Sequence, residues 1–221
     1  MSRGFGPDEA KQFYDRFGAK QDWQSFYENP AIDELITHAG FEHAHAVFEL
    51  GFGTGRLAQR LLSRHLPQDA SYTGVDISTT MARLARERLR TWQERATVKV
   101  LDGTRGMDFP GQSFDRFVSV YVLDLLSPEN ILRVLTDARR MLVPGGRICL
   151  VSLTRGTTAW CRLVTRTWEF VYRRNPRLVG GCRPVELLEY LGPELWRTEH
   201  RNVVCTYGIS SEIVVASRLP Y

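Results

Sequence analysis

Apolar positions along this chain switch between two spacings. Residues 46–50 (AVFEL) form a short apolar run, too short for a helix and suited to a buried strand. Leu57, Ala58, Leu61, Leu62 and His65 then recur at helical spacing, and residues 72–75 read as a second strand. Met81, Leu84, Ala85, Leu89 and Trp92 mark the next helix. Ser78 or Thr79 is its expected N-cap, because a hydroxyl accepts from the free N–H groups of a first turn. Residues 97–101 alternate like a third strand, and 117–123 are nearly continuous apolar sequence, as in a central parallel strand covered on both faces. Ile131, Leu132, Leu135, Ala138 and Leu142 form a helical stripe that Pro144-Gly145-Gly146 is expected to end. Residues 147–153 give a fifth strand. Strands alternating with helices imply a parallel sheet with right-handed crossovers.

The two ends break this rhythm. Residues 1–40 are rich in aromatics (Phe5, Phe13, Tyr14, Phe17, Trp23, Phe26, Tyr27) and read as one or two short helices. Toward the other end, 184–191 suggest a short helix, and 203–207 and 212–216 suggest strands joined by Gly208-Ile209-Ser210-Ser211. That tail predicts an antiparallel hairpin on the edge of the sheet. With no internal repeat and no linker, residues 1–221 are expected to form one domain.

Composition narrows the class without naming it. The hydrophobic fraction of 43% and charged fraction of 24% are ordinary for a globular protein. No apolar run is long enough to span a bilayer, and the first residues lack the apolar core of a secretory signal, so a cytoplasmic protein is expected. Cys149, Cys161, Cys182 and Cys205 are widely spaced, without a CxxC pair or nearby His cluster. They predict four reduced thiols, with neither a disulfide framework nor a metal site. The net charge of +4 comes almost wholly from Arg, which permits anionic partners without pointing to one.

The chemistry concentrates in Glu49-Leu50-Gly51-Phe52-Gly53-Thr54-Gly55, between the first strand and the following helix. Glycines there let the backbone turn tightly, and the helix N-terminus presents free N–H groups to polar or anionic ligand atoms. The spacing is GxGxG followed by Arg56, whereas the dinucleotide fingerprint GxGxxG needs glycine at that sixth position. Acidic residues stand at the next two strand ends, Asp76 in GVDIS (74–78) and Asp102 before Gly103.

In this order and spacing these segments, with Ser113-Phe114-Asp115 and the 142–147 turn, resemble the class I S-adenosylmethionine (SAM)-dependent methyltransferases across residues 10–153. The ubiquinone/menaquinone-biosynthesis-like small-molecule subgroup is the nearest in character. The resemblance implies an α/β, Rossmann-like sheet, mostly parallel with a C-terminal antiparallel hairpin and helices on both faces. It implies SAM as cofactor. Gly51, Gly53 and Gly55 would wrap its methionine part, with Glu49 near the amino group and Ser119 near the methionine moiety or sulfonium. Asp76 would accept from both ribose hydroxyls, Ile77 and Met81 would flank the adenine, and Asp102 would accept from the adenine amino group with Gly103 leaving room. Tyr14 would lid the cofactor. Met81 on an apolar helical face is more often core than ligand contact, and Asp76 and Asp102 are also readable as caps or loop carboxylates.

The acceptor side is less legible. Asp124, after the fourth strand, is the candidate base or orienting group; a plain helix-start carboxylate is the alternative. Residues 1–40 would form a helical lid, and 154–183, with an apolar helical stripe and many Arg, a helical insertion covering the acceptor. The absence of Asn-Pro-Pro-Tyr or Asp-Pro-Pro-Tyr after the fourth strand argues against an adenine or glutamine amino-methyltransferase. The expected function is transfer of the SAM methyl group to a small, lipophilic acceptor by a monomer or homodimer. Nucleic acid is not the expected partner, and peripheral membrane contact stays open. The alternatives are an RNA or protein methyltransferase, a non-catalytic SAM-binding partner protein, and a nucleotide-binding oxidoreductase.

Overall fold

The computed structural model describes residues 7–102 and 106–220. Among these, seven strands form one sheet: β1 (Ala46–Leu50), β2 (Ser71–Asp76), β3 (Ala96–Val100), β4 (Phe114–Val120), β5 (Leu142–Leu153), β6 (Trp196–Thr206) and β7 (Ile209–Arg218). Their order is β3-β2-β1-β4-β5-β7-β6. The first five run parallel, while β7 lies antiparallel between β5 and β6. The mostly parallel sheet with a terminal hairpin is therefore as the sequence implies. Six α-helices accompany it: α1 (Pro7–Phe17), α2 (Ser25–Ala39), α3 (Arg56–Arg64), α4 (Thr79–Arg88), α5 (Pro128–Met141) and α6 (Ala159–Arg174).

The continuous apolar strands have a direct physical cause. Side chains alternate across a strand, and both faces are covered here. Val47, Val118, Cys149, Val151, Ile213 and Val215 point to one core, which α2 and α3 close with Leu35, Ile36, Leu57 and Leu61. Phe48, Phe117, Ile148, Leu150, Val214 and Ala216 point to the other, closed by Ile131, Leu135 and Ala138 of α5. The caps are local. Ser78 accepts from the Met81 amide at 3.1 Å, Ser127 does the same for Asn130 at 3.3 Å, and Thr158 for Cys161 at 3.2 Å.

Several boundaries differ from the periodicity. β4 stops at Val120, because Tyr121 takes a left-handed φ of 54° and residues Leu123–Leu125 turn as a 3₁₀ helix. α5 ends at Met141 on an extended Leu142, so Gly145 (φ 76°) bends the strand beyond it and does not cap the helix. The expected 184–191 helix shrinks to the 3₁₀ turn Leu187–Tyr190. The cysteines need a larger correction: Cys161 on α6 and Cys205 on β6 form a disulfide, with Cα atoms 6.8 Å apart. Their separation of 44 residues conceals a pairing made by α6 lying against the β6–β7 turn. Cys149 and Cys182 stay free. No helix among the described residues is long and apolar enough to cross a membrane.

Candidate active site

The strand order reverses between β1 and β4, since β1 leads outward to β2 and β3 on one side and β4 continues on the other. In open α/β sheets, ligands settle beyond the carboxyl ends of strands at such a point. A cavity with an empty volume of about 1230 Å³, its open mouth included, lies there. Its wall includes Tyr14, Gly51, Gly53, Asp76, Ile77 and Met81, all anticipated from the sequence.

On this side the loop after β1 is shaped by its glycines. Gly51 has φ 77°, and a Cβ on it would sit 2.2 Å from Val122 Cγ2. Gly55 (φ 78°) opens α3, where a Cβ would come within 3.1 Å of the Ala85 backbone. The Gly53 amide donates to Asp76 Oδ2 at 3.0 Å and the Ser78 amide to Oδ1 at 2.9 Å. Burial pushes the Asp76 carboxyl up to about 6 despite these donors. A buried amide oxygen, Gln21 Oε1, faces Gly53 and makes no hydrogen bond among the described residues. An unpaired buried acceptor is costly, and a ligand donor would satisfy it.

The other anticipated residues take different places. Glu49 lies outside the cavity wall, buried beneath the glycine loop, where Tyr72 donates to its Oε2 at 2.6 Å and burial raises it to about 7. Gly55 is the N-cap of α3 and is not in the cavity wall. Ser119 is fully buried on β4, its hydroxyl unpaired among the described residues. Asp102 is exposed after β3 and is not in the cavity wall. Gly103 lies outside the described residues.

The N-terminal segment is latched across this wall by two carboxylates. Asp15 on α1 accepts from Ser78 Oγ (2.5 Å) and the Thr80 amide (3.2 Å) at the start of α4. Asp22 accepts from Thr54 Oγ1 at 2.6 Å and from Arg88 Nη2 at 2.7 Å. Burial alone would raise both acids. The donors outweigh it and hold them below the ordinary carboxylate range.

The opposite wall includes Tyr121, Val122, Leu125, Leu126, Asn130 and Val134, which flank the sequence-anticipated Asp124. Asp124 sits behind them, fully buried, with neither carboxylate oxygen paired at good geometry among the described residues. Burial pushes it up to about 7, with nearby backbone donors and then the Arg183 charge pulling back. Around it gather groups from distant segments. Tyr14, Tyr27 and Cys182 are raised first by burial and then, among other charges, by Asp124. Burial also lifts Glu28 to about 7, against the pull of Arg56. The segment after α6 is fastened here: Trp168 Nε1 donates to the Cys182 carbonyl at 2.9 Å, the Arg183 amide to the Asp124 carbonyl at 3.0 Å, and Arg183 Nη2 to the Leu126 carbonyl at 2.8 Å. No residue of α6 itself lines the cavity among the described residues. Gln21, Glu28 and Cys182 were missed because no local pattern marks them. The positive φ of Tyr121 is the sort of outlier that collects at functional sites, and it too is invisible in sequence.

Residues 47–146 match a family described as methyltransferase domain. The chain is 37% identical over 138 residues to the demethylmenaquinone methyltransferase of Tropheryma whipplei, a match covering 61% of this chain and 53% of that enzyme. The chain thus spans about half the length of that relative, and 3% of a long hybrid PKS-NRPS synthetase that also matches. The [4+2]-cyclase SpnF superposes with a TM-score of 0.74 at 14% identity, covering 100% of this chain and 99% of that one. The N-methyltransferase NodS of Bradyrhizobium japonicum, solved with S-adenosylhomocysteine, superposes with a TM-score of 0.71 at 17% identity, covering 95% and 98%. These two likenesses establish the fold.

Proposed function

We propose that this chain is a class I SAM-dependent methyltransferase of the ubiquinone/menaquinone-biosynthesis-like kind, and that it moves the SAM methyl group to a small, lipophilic acceptor held against the 121–126 wall. The observation that carries this reading is the pairing of two unlike walls in one cavity. The glycine cradle with Asp76 and the unpaired Gln21 Oε1 fits an amino-acid-bearing nucleoside. The facing wall is largely apolar, with Asn130, Arg133 and Asp137 of α5 among its lining, and is backed by a near-neutral carboxyl.

The residues present fit SAM. Asp76 would receive the ribose hydroxyls, Ile77 and Met81 would flank the adenine, and Gln21 Oε1 would take the methionine amino group, with Glu49 buttressing the loop from below. Bound SAM supplies a methyl group on a cationic sulfur, which leaves readily once a nucleophile is aligned. The protein's task is alignment and exclusion of water, and alignment alone contributes up to about 7–11 kcal/mol in favourable cases. Tyr14 and the latched 18–24 segment close over the cofactor. Leu125, Leu126 and Val134 hold the acceptor's apolar body. Asp124 lies behind this wall and does not line the cavity, so it serves as base through a relay from the wall or a bridging water; its carboxyl near 7 is poised between its two states at neutral pH.

Thermal unfolding with SAM, S-adenosylhomocysteine or NAD tests the cofactor assignment. Ligand at about 100 times its dissociation constant adds roughly 2.7 kcal/mol, a shift of about 5–11 °C in a chain of this size. A shift with both sulfur ligands and none with NAD is expected; a shift with NAD alone overturns the reading. A second reading, SAM binding without methyl transfer, is motivated by the likeness to a protein described as a cyclase. Labelled methyl appearing in product from a screen of small phenolic, enolic and amine acceptors separates the two.

A further inference from the structure

The outward face of α6 is unusual. Trp160, Leu163 and Phe170 lie on it, 62%, 56% and 59% exposed. A surface helix normally turns such residues inward. Here the inward face is already occupied by Cys161, Thr165 and Tyr172. Arg162, Arg166, Arg173 and Arg174 stand exposed around the apolar stripe, and Arg174 lies 5.1 Å from the Phe170 ring centre. The helix's single acid, Glu169, is turned toward Arg155 at 3.8 Å and leaves this cationic face unopposed. The stripe continues off the helix. Trp160 packs over Gly208 in the β6–β7 turn, beside Tyr207, which is 78% exposed.

From that turn a series of rings runs inward. Tyr207 meets Phe26 at 5.5 Å between centroids, Phe26 meets Tyr27 at 5.2 Å, and Tyr27 meets Tyr121 at 5.9 Å. Tyr121 is part of the cavity wall. A row of ring contacts thus leads from the turn beside the exposed stripe to the acceptor wall.

We propose that the outer face of α6, with Trp160, Tyr207 and Phe26, docks on an anionic lipid bilayer, and that this docking sets the row of rings from Tyr207 to Tyr121 against the surface from which a lipophilic acceptor comes. The second half rests on the methyltransferase reading; the docking does not. The chemistry favours a bilayer over other partners. Apolar side chains flanked by Arg match the depth profile of a membrane interface, where the chains enter the acyl boundary and the guanidinium groups meet anionic headgroups. Leu163, at the centre of the stripe, gives a nucleic acid nothing to stack on.

The test is cosedimentation of the whole chain with vesicles of phosphatidylcholine, with and without phosphatidylglycerol. Binding to the anionic vesicles alone, weakening as salt rises, is expected. The paired variant Leu163→Ser/Phe170→Ser should lower the partition coefficient about tenfold or more, since both side chains enter the acyl boundary. Arg166→Glu/Arg173→Glu should lower it by a similar factor through the surface potential. All four residues are solvent-exposed, so the fold should persist, and an unchanged thermal shift with SAM verifies it independently of docking. No vesicle binding by the wild-type chain overturns the proposal. So does a concentration-dependent dimer dissolved by the Leu163/Phe170 pair, or RNA binding lost only with the Arg pair. If SAM shifts the midpoint but vesicles do not bind, docking alone fails. If vesicles bind but SAM produces no shift, the cofactor reading fails and docking stands.

Discussion

On the Gly51–Asp76 side of the cavity, the ligand-facing groups are backbone turns and a carboxylate supplied by one strand–loop–helix unit and the end of its neighbouring strand. The Tyr121–Leu126 side is backed by groups from segments far apart in the chain: Tyr14, Tyr27 and Glu28 near the beginning, Tyr121 and Asp124 after β4, and Cys182 after α6. The first wall is shaped by backbone conformation and backbone amides, which tolerate little change. The second is shaped by burial, which lifts several acids and phenols together and leaves neither Asp124 oxygen with a well-formed hydrogen bond among the described residues. The contrast suggests why one fold can keep its cofactor while exchanging acceptors: changes on the second wall leave the first untouched.

The sharpest way to break this division is Asp124→Asn. Turnover should fall by about 10²–10⁴ while SAM affinity stays unchanged. The wild-type rate should rise with pH through about 7, because the base works deprotonated, and the variant should lose that limb. If the limb survives and disappears in Glu28→Gln, Glu28 is the base. The same raised acids predict the sign for stability. The folded chain keeps protons on Asp124 and Glu28 that the unfolded chain releases near pH 4, so stability should decline as pH rises from about 4 toward 7.

Gly51→Ala attacks the first wall. The added methyl meets Val122 and the φ of 77° disfavours it, a strain of about 1–3 kcal/mol that should weaken SAM binding roughly tenfold to a hundredfold in calorimetry. A turnover loss without an affinity loss would mean the two walls are not separable there. The Cys161–Cys205 bond ties α6 to β6 outside both walls. Cys205→Ser should lower unfolding stability by at most about 4 kcal/mol and abolish any effect of reductant on the melting midpoint, with SAM affinity little changed.

The smallest effect is expected at the lid. Asp22→Asn weakens the contacts to Thr54 and Arg88 and should cost SAM affinity about fivefold. Because the carboxyls of Asp15 and Asp22 are held low in the folded chain, the latch is intact above the ordinary carboxylate value of about 3.9 and is lost as pH falls through the lower folded values. SAM titrations at acid pH read this directly.

By itself the sequence determined the βα alternation, the glycine turn after β1, Asp76 at the end of β2 and the terminal hairpin. All of these follow from neighbours in the chain: a strand's periodicity, a turn's need for positive φ, a cap's hydroxyl. Even the buried strands were legible, because residues covered on both faces must be apolar whatever covers them. The tertiary structure decided what depends on meetings across distance. It set Glu49 under Tyr72 and off the cavity wall, left Asp102 outside that wall, paired Cys161 with Cys205, and gathered Tyr14, Glu28, Asp124 and Cys182 around one buried point. Burial and pairing are properties of the surroundings a residue acquires on folding, and no local spacing records them.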